Sequence, residues 1–222
     1  KKLYKAVATA LIATSSLAFA STELNSSQAI KGIAKAELPA KQLLRFKLSN
    51  IKYFSAHFMQ TIIDGSGEKL QEATGELTVA KPNLVNWHTK SPDETLIVSD
   101  GATLWFYDPF IEQATAYNVS DTIENTPILL ITNNDAAIWQ KFTVNQVSKG
   151  KFEIISTEPN SRVESLEITF NDNSSLIESF TIKDATGQIS QINLSQVDTA
   201  KQPEASRFQF TLPDGVTLDD QR

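Results

Sequence analysis

Few residues of this 222-residue chain are of a type that does chemistry: it has two histidines and no cysteine. His57 stands in the apolar stretch Ala56-His57-Phe58 and His88 follows Trp87. Neither belongs to an H-E-x-x-H pattern or has a third ligand at metal-binding spacing. The absence of cysteine removes thiol nucleophiles, disulfide scaffolds, zinc-thiolate sites and iron–sulfur clusters together. Gly65-Ser66-Gly67 lacks the form of a nucleophile elbow and falls where a hairpin turn is expected, so Ser66 reads as a turn residue. The carboxylates of Asp93-Glu94, Asp108 and Asp219-Asp220 sit beside proline, glycine or the C-terminus and read as solvated charges. No phosphate-cradling glycine loop occurs. The sequence therefore assigns no catalytic residue, no metal site and no cofactor, and the expectation is a protein that is not an enzyme. A secreted hydrolase is the rival reading, and it needs two carboxylates converging in one cleft, which no spacing here displays.

Charge narrows the field further. The net charge is −6, with 20 basic against 26 acidic residues, and nucleic-acid binders need clustered Lys and Arg to neutralise phosphates. The first residues are a separate matter. Lys1, Lys2 and Lys5 precede an uncharged, mainly apolar run from Ala6 to Leu17, and Ala18-Phe19-Ala20 is a small-x-small site ahead of Ser21. This is the layout of a secretory signal peptide, and the run is short for a membrane span. Cleavage after Ala20 is expected, which removes three lysines and leaves a more acidic exported chain. An uncleaved anchor is the alternative. Lacking a cysteine, the exported chain cannot itself be acylated as a lipoprotein.

What must position an active surface is then read from periodicity. Residues 21–38, rich in Ser, Ala, Gln and Lys without period, form a loose extension, and residues 39–222 are expected to be one domain. From Ala40 to Phe58, apolar residues at 43, 44, 48, 51, 54 and 58 recur at three- and four-residue spacing, as in an amphipathic helix running toward a strand. Beyond it the pattern becomes β. Leu77 and Val79 alternate with Glu76 and Thr78, and Asp100-Gly101 marks a type I′ hairpin between 96–99 and 102–107. Strands are expected at 142–147, 152–156, 165–170, 177–183, 189–196 and 207–212, with nearly all eight glycines at turns. About ten short strands without βαβ alternation imply an antiparallel sandwich or barrel. Thr126-Pro127 opens an apolar helical run, Ile128 to Ile131, and 135–142 is a second short helix with Ile138 and Trp139 on one side. These helices either cover one mouth of the sheet or simply fill its core.

Aromatic residues are more telling than polar ones. In Leu104-Trp105-Phe106-Tyr107 both strand faces carry large apolar side chains, and such a strand needs cover on both sides. Ordinary packing under the helices meets that need. So does a concave, aromatic-lined pocket for a lipid or other apolar ligand.

The residues that carry a resemblance run in order along the chain. They are the segment from Gly75-Glu76-Leu77-Thr78-Val79 through Lys81-Pro82-Asn83 to Trp87-His88, then Pro92 to Gly101, Leu104-Trp105-Phe106-Tyr107-Asp108-Pro109-Phe110, Asn125-Thr126-Pro127, Phe208 to Val216 and Asp219-Asp220-Gln221-Arg222. This series, over roughly residues 41–222, resembles the LolA family of periplasmic outer-membrane lipoprotein carriers. The resemblance implies an incomplete, open antiparallel β-barrel of about eleven strands covered by a helical lid. It implies triacylated lipoproteins as cargo, an inner-membrane Lol ABC transporter as donor and the outer-membrane protein LolB as acceptor, with the carrier a monomer.

Residue by residue, the resemblance makes Leu43, Leu44, Ile128, Leu129, Leu130 and Ile131 candidates for the lid. Leu77, Val79, Val85, Trp87, Leu104 and Phe106 become candidates for the acyl-facing wall. The family's lid-fastening arginine corresponds to Lys81, which offers a point charge in place of a planar five-donor fork. Val85 stands where the family often has a bulky aromatic, which implies a shallower wall. Burial of one chain of some sixteen carbons is worth roughly 12 kcal/mol at about 0.8 kcal/mol per methylene. A reversible carrier therefore needs a cavity whose own walls compete with the ligand, as a lid collapsing onto them does. A lipid-sensing regulator or general lipid binder on the same half-barrel is the alternative.

Overall fold

The computed structural model describes residues 38–123, 126–159, 161–172 and 175–222. The expected signal peptide, nearly all of the 21–38 extension and Asn125 lie outside the described residues.

Helix α1 spans Ala40–Ser49 and buries Leu44 and Leu48, one turn apart on one face. It starts behind Pro39 and ends where the Asn50 N–H donates to the Lys47 carbonyl and the Ile51 N–H to that of Leu48. The expected continuation to Phe58 is corrected: β1 begins at Tyr53 and runs to Ile63. Phe54 and Phe58 fit helical spacing, but with Ala56 they also fit period two, and these are the residues that strand β1 buries. Pairing on both sides, with β2 (Lys69–Ala80) and β11 (Ile189–Asp198), decides between the two periods.

A meander continues through β3 (Leu84–Ser91), β4 (Thr95–Asp100), β5 (Thr103–Asp108) and β6 (Gln113–Asn118). Three short helices follow: α2 (Val119–Thr122), α3 (Pro127–Thr132) and α4 (Ala136–Gln140). The chain then returns to strands with β7 (Phe142–Ser148), β8 (Lys151–Ser156), β9 (Val163–Phe170), β10 (Ile177–Asp184) and β11, and ends in β12 (Thr217–Asp220). Among the described residues, twelve strands form one sheet in the order β12-β6-β5-β4-β3-β2-β1-β11-β10-β9-β8-β7. The sheet is open, because β7 and β12 are its two edges. Every pairing is antiparallel except β12 with β6, which is parallel. The expected open barrel is thus observed, one strand larger than the resemblance implies and with one parallel edge. Val85 of β3 and Phe152 of β8 lie in the same buried cluster although five strands separate theirs. The sheet therefore curves around a shared interior.

Three local expectations are corrected. Residues 207–212 are not a strand: Ala205–Phe208 is a 3-10 turn, followed by extended chain. Their alternation serves another purpose, since Phe210 stacks on Trp105 (5.1 Å) and Tyr107 (5.5 Å). This strap covers the outer side of β5, the side for which the sequence offered no partner. Gly75 is not at a turn but inside β2, where a Cβ would lie 2.1 Å from the His88 carbonyl oxygen and 2.7 Å from the Phe58 ring. At the 100–101 hairpin only Gly101 takes a positive φ, and Asp100 Oδ1 accepts from the Ala102 and Thr103 N–H groups, so the turn is not type I′.

Candidate functional site

Residues directly opposite in neighbouring antiparallel strands point to the same face of a sheet. One such row runs Ala56, Leu77, Trp87, Ile97, Phe106 and Thr115; the adjacent row runs Phe54, Val79, Val85, Ser99, Leu104 and Tyr117. The six wall candidates, Leu77, Val79, Val85, Trp87, Leu104 and Phe106, are therefore all on one face, the concave one. Leu77, Val79, Val85 and Leu104 are buried in the core, while Trp87 and Phe106 pack half-buried at its margin. Trp87 stacks against Phe58, with ring centroids 4.7 Å apart. The other strands add Phe152, Ile154, Leu166, Ile168, Phe180 and Ile192 to the same cluster.

The helices lie over this surface. Leu44 of α1 and Ile128, Leu129, Leu130 and Ile131 of α3 are buried in the cluster, and Leu43 packs half-buried against it. Proline at the first position of α3 presets the helical φ where no N–H is needed. Beneath α3, the space between Pro127, Leu130, Phe142, Ile154 and Leu166 amounts to about 10 Å³, about enough for one water. The helices and the sheet are in contact there.

Polar contacts that fasten the helices gather at one rim. Lys81, just after β2, donates from Nζ to the Leu48 carbonyl of α1 (2.5 Å) and to Asn134 Oδ1 of the α3–α4 loop (3.3 Å). Burial pulls its ammonium from 10.5 down to about 8. Arg45 donates to the Asn134 carbonyl and Lys41 to the Trp139 carbonyl, each at 3.1 Å. Asn133 donates to Asn83 Oδ1 (3.0 Å) and accepts at its carbonyl from the Trp139 indole N–H (3.1 Å). Asn83 takes φ +57° and its carbonyl accepts from Ser99 Oγ.

Arg45, Asn83, Asn133 and Asn134 were missed as rim residues. Their only sequence signals were turn chemistry after Pro82 and a paired asparagine at a helix end. Phe58 and Ile97 were missed as wall residues because their faces follow from register alone.

Of the polar groups singled out in the sequence, Asp108 and Asp219 share the face of Phe106 and Thr115, Asp108 at the lip of the sheet and Asp219 on the edge strand. His57 and His88 stand on the outer face, opposite Glu76 in register, and His88 Nε2 lies 2.7 Å from Glu94 Oε1. Lys90 bonds Glu76 and holds its carboxyl below the ordinary range. Ser66 Oγ donates to Asp64 in the β1–β2 turn, and Asp108 Oδ1 accepts from the Phe110 and Ile111 N–H groups. Asp219 and Asp220 are in β12, and Arg222 lowers the Asp220 carboxyl to about 2. Among the described residues no three His, Asp or Glu side chains gather as a metal site.

A family model described as outer membrane lipoprotein carrier protein LolA matches residues 49–211. The chain belongs to the LolA family. An outer-membrane lipoprotein carrier protein of Aeromonas salmonicida is 42% identical over 183 residues, covering 82% of this chain and 90% of the relative. One of Serratia proteamaculans is 44% identical over 185 residues, covering 82% and 89%. Among solved structures, a LolA superfamily protein of Nitrosomonas europaea is 10% identical with a TM-score of 0.47, covering 78% of this chain and 99% of that one. The LolA match takes in the concave rows and the Lys81 rim; α1 lies ahead of it, apart from Ser49.

Proposed function

We propose that this protein is a non-enzymatic periplasmic carrier of triacylated lipoproteins, shielding their acyl chains between the concave sheet face and the helices. It takes cargo from the inner-membrane Lol ABC transporter and delivers it to the acceptor LolB, working as a monomer after export and cleavage behind Ala20. The observation that carries this reading is the helical cover over an apolar surface: six side chains of α1 and α3 pack on the concave face of the sheet. Leu44, Leu48, Ile128, Leu129, Leu130 and Ile131 are each at most 7% exposed. At about 2 kcal/mol apiece their burial is worth about 12 kcal/mol. That matches the roughly 12 kcal/mol of one sixteen-carbon chain, about a third of what three such chains would bury, so a closing lid offsets part of the cargo's burial. Lys81 would set the closed side of that balance by tying α1 and the α3–α4 loop to the sheet.

The test is to add the purified mature protein to spheroplasts and look for lipoproteins in the soluble fraction. One-to-one complexes are expected. Their absence with folded protein would overturn the carrier reading.

A further inference from the structure

At the end of the sheet opposite the Lys81 rim, the concave face does not stop under the helices. A cleft of about 300 Å³ lies there, between the β3–β4 and β5–β6 turns. Its floor is Ile97 and Phe106, its lip is Ile111, Leu96 and Tyr107 border it, and the polar Thr95, Asp108, Gln113 and Thr115 stand around it. Ile97 and Phe106 are members of the Trp87 row, so the cleft is continuous with the apolar wall. Its volume falls at the small end of ligand pockets. The lip is held rather than loose: Asp108 fixes the backbone of the turn that presents Phe110 (90% exposed) and Ile111 (58% exposed). None of the rim hydrogen bonds that fasten α1, α3 and α4 involves a residue of this cleft.

From this continuity we infer that the cleft is a standing site for the end of one linear alkyl chain, open while the lid is latched. The inference rests on the carrier reading and deepens it: a first chain makes contact at Ile97 and Phe106 before the helices part, and the lid then yields to the remainder. Chemistry picks the occupant. The floor is apolar; the hydroxyl and amide groups and the Asp108 carboxylate, which is held by the Phe110 and Ile111 N–H groups, stand around it. A chain with a polar head outside satisfies both, whereas a charged or bulky ligand would leave the floor unmatched. The chain could belong to a lipoprotein or to a free lipid, and competition separates the two.

The chain's lack of cysteine makes the experiment clean. Arg45→Cys and Asn134→Cys, joined by a short bismaleimide, would hold α1 to the α3–α4 loop. The probe is a dodecyl chain with a fluorophore on its polar end. Cross-linked protein should bind it within about twofold of the uncross-linked protein, while lipoprotein release from spheroplasts is lost. Ile97→Glu and Thr115→Arg should each weaken probe binding at least tenfold, with unchanged melting temperature showing that the fold persists. Displacement by a triacylated lipopeptide would identify a cargo chain, and displacement by a fatty acid alone would identify free lipid; either supports an alkyl site. Loss of binding on cross-linking, full binding by both variants, or displacement by neither competitor would overturn it. Failure of the uncross-linked protein to release lipoproteins would instead count against the carrier reading alone.

Discussion

The Lys81 ammonium donates to the Leu48 carbonyl, one of the last carbonyls of α1. These oxygens carry the negative end of the helix dipole, and a cation placed there is favoured. The same nitrogen reaches Asn134, so one side chain ties two segments of the lid to the end of β2. Lys81→Ala should loosen both at once, costing about 1 kcal/mol of stability. Hydrogen exchange in α1 and α3 should quicken, and Lys81→Arg should restore much of the protection. A latch role would be wrong if both uptake and release of lipoproteins were unchanged by Lys81→Ala.

Because burial holds Lys81 at about 8 against 10.5 in the open, the latch has a pH signature. Between these values the unfolded chain keeps a proton that the closed fold has shed, so stability rises with pH across this window. Below about pH 8 both forms are protonated and the dependence flattens. Melting temperatures of the native protein and Lys81→Met, compared from pH 7 to 10, should diverge in favour of the native protein. A constant difference would mean that Lys81 does not titrate there.

Leu129 is fully buried beneath α3. Leu129→Glu would set a charge in the apolar contact and should weaken binding of a fluorescent fatty-acyl probe. Leu129→Ala should cost about 3 kcal/mol through the lost packing. Undiminished acyl binding by folded Leu129→Glu protein would place the chain elsewhere.

Gly75→Ala tests a close contact on the same face as Leu77 and Val79. The added methyl would collide with the backbone of β3 at His88 and with the Phe58 ring, and the His88 carbonyl cannot step aside without parting strands. A loss of about 3 kcal/mol is expected, read as a lowered melting temperature. A neutral substitution would show that β2 and β3 separate easily at this point.

Phe210→Ala supplies the control. Its ring covers Trp105 and Tyr107 on the convex side, where the Arg222 guanidinium also lies over Trp105. The loss should be about 2 kcal/mol of stability with acyl-probe affinity unchanged. A parallel fall in affinity would mean that the two faces are coupled.

How much of this was legible beforehand depended on the range of the forces involved. Alternation fixed the wall, since Leu77, Val79, Leu104 and Phe106 needed only a period of two to share a face. Pro127 and the run behind it announced α3. Helix α1 was drawn too long because Phe54 and Phe58 satisfy both periods, and only pairing with β2 and β11 separates them. Residues 207–212 alternate like a strand yet answer to Trp105 and Tyr107, a hundred positions earlier. The rim asparagines were silent because a hydrogen bond between Asn83 and Asn133 leaves no periodic trace in either segment.

The two unpaired edges of the sheet have a further consequence. In a closed barrel, strand number and stagger fix the diameter, and widening it means breaking ladder hydrogen bonds. Here β7 and β12 end the sheet without meeting, so no ring of bonds sets its girth. The strands can uncoil slightly by changing twist, keeping every backbone bond. The width of the concave face is then set by side-chain packing, with no ring of ladder bonds to fix it.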